Sequence, residues 1–402
     1  MQASLPALPA VTAPERGLPV LPELAAHLAE AAARSEPEPL GGGPALRAAA
    51  CGYWSRRGLP TGPDQVVAAP GGPPLLLALL AAAGGDVLLT RPCAAWYLPL
   101  VRLAGRPAFH VPVPAECGGV PDPFALLETV RRIRDEGGRP RLLVLSAADD
   151  PTGTIAPPEI LHEVCEAAVA EDMTVVSDET WRDTRHHRGG TVFLGPAEMW
   201  PEHVVVLTDL AGALTPAAWP AAVARFPAGG RGPVLRARVT SVLAAVGAEL
   251  APPVAAAAAY ALAEPGPVRA RTAAAARLYG TLGAAARERL AIAGVLSRPP
   301  QTGPYLYADL GELRTALAAR AITDSVELEA HLSAALGRPV PGGHRFGDAP
   351  DDLRVRLSTP PLLGTTEAER QRALAAPDPL ALPGVRAALT EFGSVFGALA
   401  DG

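Results

Sequence analysis

Short apolar runs alternating with helix-length segments constrain this chain more than any other feature. The runs are Val66–Ala69, Val87–Thr90, Ala108–Val113, Leu142–Ser146, Thr174–Ser177, Val204–Thr208 and Ala221–Phe226. Helical stretches such as Leu75–Ala83, Phe124–Asp135 and Ile160–Glu171 lie between them. Runs of four to six apolar residues between longer helices read as strands buried on both faces, so the class is α/β with a mostly parallel sheet. Further on, the Ala/Arg-rich segment Pro267–Gly294 reads as one long helix. It is followed by expected strands at Pro304–Leu310 and Leu353–Ser358, a helix at Val326–Leu336 and a turn at Pro339–Gly343. The expected division is an N-terminal arm at 1–44 with one helix near Leu21–Ala33, a large domain at 45–280, and a smaller α+β domain at 281–402.

Composition removes several function classes. The net charge of −6, without blocks of like charge, argues against a nucleic-acid or membrane-surface partner. Nothing in the chain reads as a signal peptide or membrane span, and Met1–Val20 carries Pro6, Pro9 and Pro14 without a continuous apolar run. Cys51, Cys93, Cys117 and Cys165 lack metal-ligand spacing, as expected of reduced thiols in a cytoplasm. His186-His187 has no accompanying ligand set, so it reads as a surface loop and no metal is expected. All 35 of the Lys+Arg residues are Arg; the sequence contains no lysine.

Two motifs sit at the C-terminal ends of expected strands, where parallel sheets bind ligands. Asp178-Glu179 follows the strand ending at Ser177, and Asp149-Asp150-Pro151-Thr152-Gly153 follows the one ending at Ser146. Taken in order with Gly41–Arg47, Gly71-Gly72, Ser177–Trp181, Val204–Thr208, Gly303–Tyr307, Pro341–Gly347 and Arg354–Ser358, they resemble the aminotransferase class I/II family over roughly residues 40–400. The resemblance implies a fold-type-I aminotransferase-like fold: about seven mostly parallel strands between helices, plus the small domain. It also implies a homodimer acting on a small-molecule substrate, with the arm packing on the small domain and on the partner subunit.

The departures from that family bear on chemistry. The family's lysine, which holds pyridoxal phosphate as a Schiff base, aligns with Gly212, and Arg cannot replace an amine nucleophile. Its phosphate-binding Arg aligns with Pro220 and its phosphate-binding hydroxyl with Asp209. Gly72 is followed by Pro73-Pro74, which have no N–H to donate. The Asn expected on the cofactor ring is Asp150, the stacking aromatic falls at Ala94, and the partner's tyrosine falls near Leu40. At roughly 1.5–3 kcal/mol per charge-assisted hydrogen bond, the three lost phosphate contacts remove on the order of 5–8 kcal/mol of cofactor affinity. No cofactor is therefore expected.

The expected function is a PLP-independent enzyme that has reused the pocket for acid–base catalysis: a cyclisation, condensation or elimination on a carboxylate- or amine-bearing intermediate. Bacterial specialised metabolism, such as antibiotic biosynthesis, is the natural setting. Asp178, Asp150 and Asp209 are the expected acids or bases, and Arg356 the anchor for an anionic group. Trp96, Tyr97, Trp181, Gly72 and His344 are expected to line the site. Two alternatives stand beside it: a non-catalytic partner of an active homologue, and a protein that binds PLP, pyridoxamine phosphate or an amino acid non-covalently.

Overall fold

The computed structural model describes residues 17–186 and 193–400, so the first part of the arm and His187 lie outside the described residues. Strands β1 Val66–Ala69, β2 Asp86–Arg91, β3 Ala108–Pro112, β4 Pro140–Ser146, β5 Thr174–Asp178, β6 Val204–Asp209 and β7 Ala222–Arg225 form one sheet in the order β1-β7-β6-β5-β4-β2-β3. The neighbours from β3 to β6 are parallel, and β7 runs antiparallel to both β1 and β6. Helices α1 Pro22–Ala31, α2 Pro44–Ser55, α3 Gly72–Ala83, α4 Tyr97–Leu103, α5 Pro123–Asp135, α6 Pro158–Ala170, α7 Pro196–Met199, α8 Gly232–Ala245 and α9 Pro252–Ala263 surround it.

The strands are apolar throughout because both faces of the sheet are covered, and successive side chains enter different cores. On one face Val66, Leu143, Leu145, Val175, Val204 and Val206 join Leu46, Tyr53 and Trp54 of α2. On the other, Val67, Leu142, Val144, Val176, Val205 and Leu207 meet Leu75, Leu79 and Leu80 of α3 and Leu235 and Val239 of α8. A one-residue slip of any central strand would exchange the two sets.

The long helix α10 Gly266–Ile292 leads to a second unit. It holds β8 Leu296–Ser297, β9 Tyr305–Asp309 and β10 Arg354–Ser358 in an antiparallel sheet ordered β10-β9-β8. With it go α11 Arg314–Ala318, α12 Ser325–Leu336, α13 Glu367–Ala375 and α14 Pro383–Ala400, around a core that includes Leu282, Leu306, Val355, Phe392 and Phe396. The arm divides between the two units. Leu18 enters the small core, whereas α1 lies on α9, with Leu24 in the large core and the rings of His27 and Tyr260 4.1 Å apart. The small side chains of α9 let its neighbours α1 and α2 approach closely.

Candidate functional site

Strands β4, β5 and β6 end side by side, with Ser146 opposite Asp178 and Asp178 opposite Leu207. That register delivers Asp178, Asp209 and the loop after Ser146 to one edge of the sheet, where ligand crevices open in such folds. Asp178 is buried, and burial raises its carboxyl above the ordinary range. Its oxygens are occupied by the chain itself: Oδ2 accepts from the Tyr97 hydroxyl at 2.7 Å, and Oδ1 from the Thr180 hydroxyl and backbone N–H at 2.6 and 3.0 Å. Tyr97 was expected to line an open site. Instead its ring is buried in the α3/α8 core, because the first turn of α4 points it inward, with Trp96 edge-on against it at 4.6 Å. Thr180, which sequence reasoning passed over, also accepts the Asp209 N–H at 3.1 Å and so links the two carboxylate positions.

Asp209 faces the start of α3. Its Oδ2 accepts the Gly72 N–H at 2.8 Å and its Oδ1 accepts the Ala211 N–H at 2.9 Å. Helix N-termini bind anions through free N–H groups and the positive end of the helix dipole. Here Pro73 and Pro74 remove two donors, Gly72 supplies one, and the protein's own carboxylate takes it. A Cβ on Gly72 would lie 2.9 Å from Asp209 Oδ2, so the contact depends on glycine. Burial pushes the Asp209 carboxyl up to about 6, against the two N–H donors, which favour the ionised form.

Arg356 and Asp150, expected to flank a ligand from opposite sides, are bound to each other. Arg356 Nη1 lies 2.8 Å from Asp150 Oδ1 and 3.1 Å from Oδ2. The guanidinium also stacks 4.1 Å from the Tyr305 ring and 5.1 Å from Phe346. At the position where the resemblance implies an amide, the Asp150 carboxylate thus sets an anion of the chain itself against the guanidinium of Arg356. Beside it Asp149 is buried, accepts from the Thr152 hydroxyl and N–H, and is pushed by burial up to about 8. The Asp149-x-x-Thr152 spacing was the available sequence signal for this turn.

Gly212 sits in a tight turn with φ +86, its N–H donating to the Thr215 carbonyl at 2.8 Å. A Cβ there would rest 3.6 Å from the Trp181 ring, so Trp181 does reach the Gly212 position. Trp181 itself is held edge-on against Tyr305 at 5.4 Å. His344 Nδ1 is 3.0 Å from the Ser325 hydroxyl and its Nε2 3.6 Å from Glu329, both on α12. His186, read from sequence as a surface loop, is buried against α10, with its ring nitrogens 3.0 and 2.8 Å from the carbonyls of Pro300 and Gly303. Among the described residues no group of side chains could hold a metal ion, and no helix is long and apolar enough to cross a membrane.

The residues present do not fit pyridoxal phosphate in the way the resemblance implies. No side-chain amine exists, Tyr97 and Thr180 fill Asp178, Asp209 fills the α3 N-terminus, and Asp150 neutralises Arg356.

The sequence model of the family described as aminotransferase class I and II matches residues 15–209. A probable aspartate/prephenate aminotransferase of Thermus aquaticus is 33% identical over 134 residues, 33% of this chain and 33% of that protein. The aspartate/prephenate aminotransferase of Thermus thermophilus is 29% identical over 199 residues, 48% of this chain and 49% of that protein. The chain thus matches between a third and a half of the length of these curated relatives. Among solved structures, a single mutant of Thermus thermophilus aspartate aminotransferase is similar with a TM-score of 0.75 at 25% identity, covering 96% of this chain and 90% of that one. The aspartate aminotransferase of Rhizobium meliloti has the same fold, with a TM-score of 0.77 at 19% identity over 97% of this chain and 90% of that one. With its seven-stranded mostly parallel sheet and these matches, the chain has the fold of the fold-type-I aminotransferases, and its residues 15–209 are similar to the aminotransferase class I and II family.

Proposed function

We propose that this chain is a pseudo-aminotransferase: it keeps the family scaffold, does not hold pyridoxal phosphate, does not transaminate, and acts as the non-catalytic partner of a lysine-containing homologue. The observation that carries this reading is the Asp209–Gly72 contact at the start of α3. A phosphate placed there would have to displace a carboxylate already bonded to two backbone N–H groups, and would meet its negative charge at close range. The Asp150–Arg356 pair acts in the same direction on a substrate carboxylate, so the activity named for the relatives is not carried over here. Co-expression with a lysine-containing homologue tests the reading. A hetero-oligomer whose transaminase activity or stability depends on this chain supports it; a chain that remains with itself alone and turns over a substrate sinks it.

A second reading is favoured by one specific feature, the Asp209 carboxyl held at about 6. A carboxyl that titrates near neutrality is suited to proton transfer, and with Arg356 neutralised the crevice is better matched to an amine-bearing intermediate than to a carboxylate. In this reading the chain is a cofactor-independent acid–base enzyme of specialised metabolism, a homodimer in the cytoplasm. Turnover by the isolated chain that disappears in Asp209→Asn would establish it over the first. Non-covalent binding of PLP or pyridoxamine phosphate is opposed by the same α3 contact.

A further inference from the structure

We infer that the chain carries an anion-binding site, for a soluble phosphate-bearing molecule, at the end of the sheet opposite the crevice. A cavity of about 430 Å³ opens where β4 and β5 begin, lined by Arg139, Arg141, Arg231, Arg238, Thr174 and Gly230 among others. Four arginines line it in a protein whose net charge is −6. One carboxylate answers them. Asp172 Oδ2 lies 2.8 Å from Arg141 Nη1 and 2.8 Å from Arg231 Nη2, so two arginines from different segments grip the same oxygen. Asp172 is held for this with φ 60, a backbone conformation that Asp adopts more readily than most residues. Four guanidiniums against that carboxylate leave the wall with a net charge of +3.

Among the described residues the guanidiniums of Arg139 and Arg238 have no ion-pair partner. The other carboxylates nearby are engaged elsewhere: Asp86 on the Arg139 backbone N–H, Glu202 on the Gly229 N–H, and Glu171 on Arg134. Helix α8 begins at Gly232 with Arg231 as its N-cap, and so adds the positive end of its dipole to the same wall. Arginine forks match phosphate oxygens in pairs, which makes a phosphate or pyrophosphate group the fitting occupant. The occupant also has an apolar body to place. A shallow groove of about 730 Å³, lined by Ala81, Pro233, Val234 and Val242, shares Ala82, Val234 and Arg238 with the arginine cavity. A nucleoside diphosphate has both parts.

Calorimetric titration of the whole chain with pyrophosphate and with ADP tests this. Saturable one-to-one binding that weakens with added salt is expected. The double variant Arg139→Ala/Arg238→Ala, which breaks no ion pair among the described residues, should lose about a hundredfold in affinity with its melting temperature unchanged. Asp172→Asn, which keeps a side chain tolerant of that backbone and removes the competing charge, should bind more tightly than wild type. Absence of binding to either probe would overturn the assignment. So would wild-type affinity in the double variant, or binding only to vesicles of an anionic phospholipid.

Discussion

Replacing Asp209 with Asn should remove a specific part of the pH dependence of stability. The unfolded carboxyl titrates near 3.8 and the folded one at about 6, because burial at the start of α3 disfavours the charge. The folded chain therefore holds this proton more tightly than the unfolded chain does. The contribution to stability is fully present below 3.8 and is lost as pH rises through about 6. That interval, at about 1.4 kcal/mol per tenfold change in proton affinity, corresponds to about 3 kcal/mol. The asparagine side chain of the variant does not titrate. It keeps one acceptor and turns an amide N–H toward the second backbone donor, a loss of about 1 kcal/mol that does not vary with pH. Asp149 and Glu179 are also raised by burial, but they titrate in both proteins and cancel in the comparison; Asp178, whose charge helps to raise Asp209, adds a smaller coupled part to the same difference. Urea unfolding of both proteins between about pH 4 and about pH 7 should therefore show the wild-type advantage shrinking by up to about 3 kcal/mol across the window. A difference that stays flat would mean that Asp209 is not buried against α3, and the account of the occupied helix terminus would fail.

Three further perturbations follow from the same contacts. Arg356→Ala should destabilise the fold by about 2–4 kcal/mol by leaving Asp150 without its partner, and a double-mutant cycle with Asp150→Ala should show coupling above about 1 kcal/mol; additive losses would show that the pair is incidental. Tyr97→Phe should lower stability by about 1–3 kcal/mol, because Asp178 loses a buried donor; an unchanged urea midpoint would place the phenol elsewhere. Gly212→Lys should not capture pyridoxal phosphate as a borohydride-stable adduct, since Asp209 still fills the α3 terminus and φ +86 disfavours a side chain by about 1 kcal/mol. A stoichiometric adduct in that single variant would show that the phosphate position is intact.

The sheet was legible because burial on both faces leaves a local signature. The expected strands Val66–Ala69 and Val204–Thr208 fall on β1 and β6, and Pro267–Gly294 falls on α10 within two residues at either end. The pairing of β7 between β1 and β6 was not legible, since an apolar run carries no record of its neighbours or its direction. At the site, Asp178, Asp209 and Arg356 were located by motif, and their surroundings were not. The contacts that decide their chemistry span 81 positions from Tyr97 to Asp178, 137 from Gly72 to Asp209 and 206 from Asp150 to Arg356. Residue type announced a carboxylate at each aspartate and a guanidinium facing them. Only the three-dimensional register shows which groups of the chain each of them meets. His344 illustrates the same limit: its motif lies in the turn before β10, yet the backbone turns the ring onto Ser325 and Glu329.

The most direct measurement is a calorimetric titration of the Arg139→Ala/Arg238→Ala chain with pyridoxamine phosphate, which needs no lysine to be held and, with the arginine cavity disarmed, tests the phosphate position at α3 alone. An α3 terminus filled by Asp209 predicts no saturable binding up to millimolar ligand, on the order of −4 kcal/mol or weaker. One-to-one binding at micromolar concentration would contradict the account, because it would require the phosphate to occupy the place assigned to the Asp209 carboxylate.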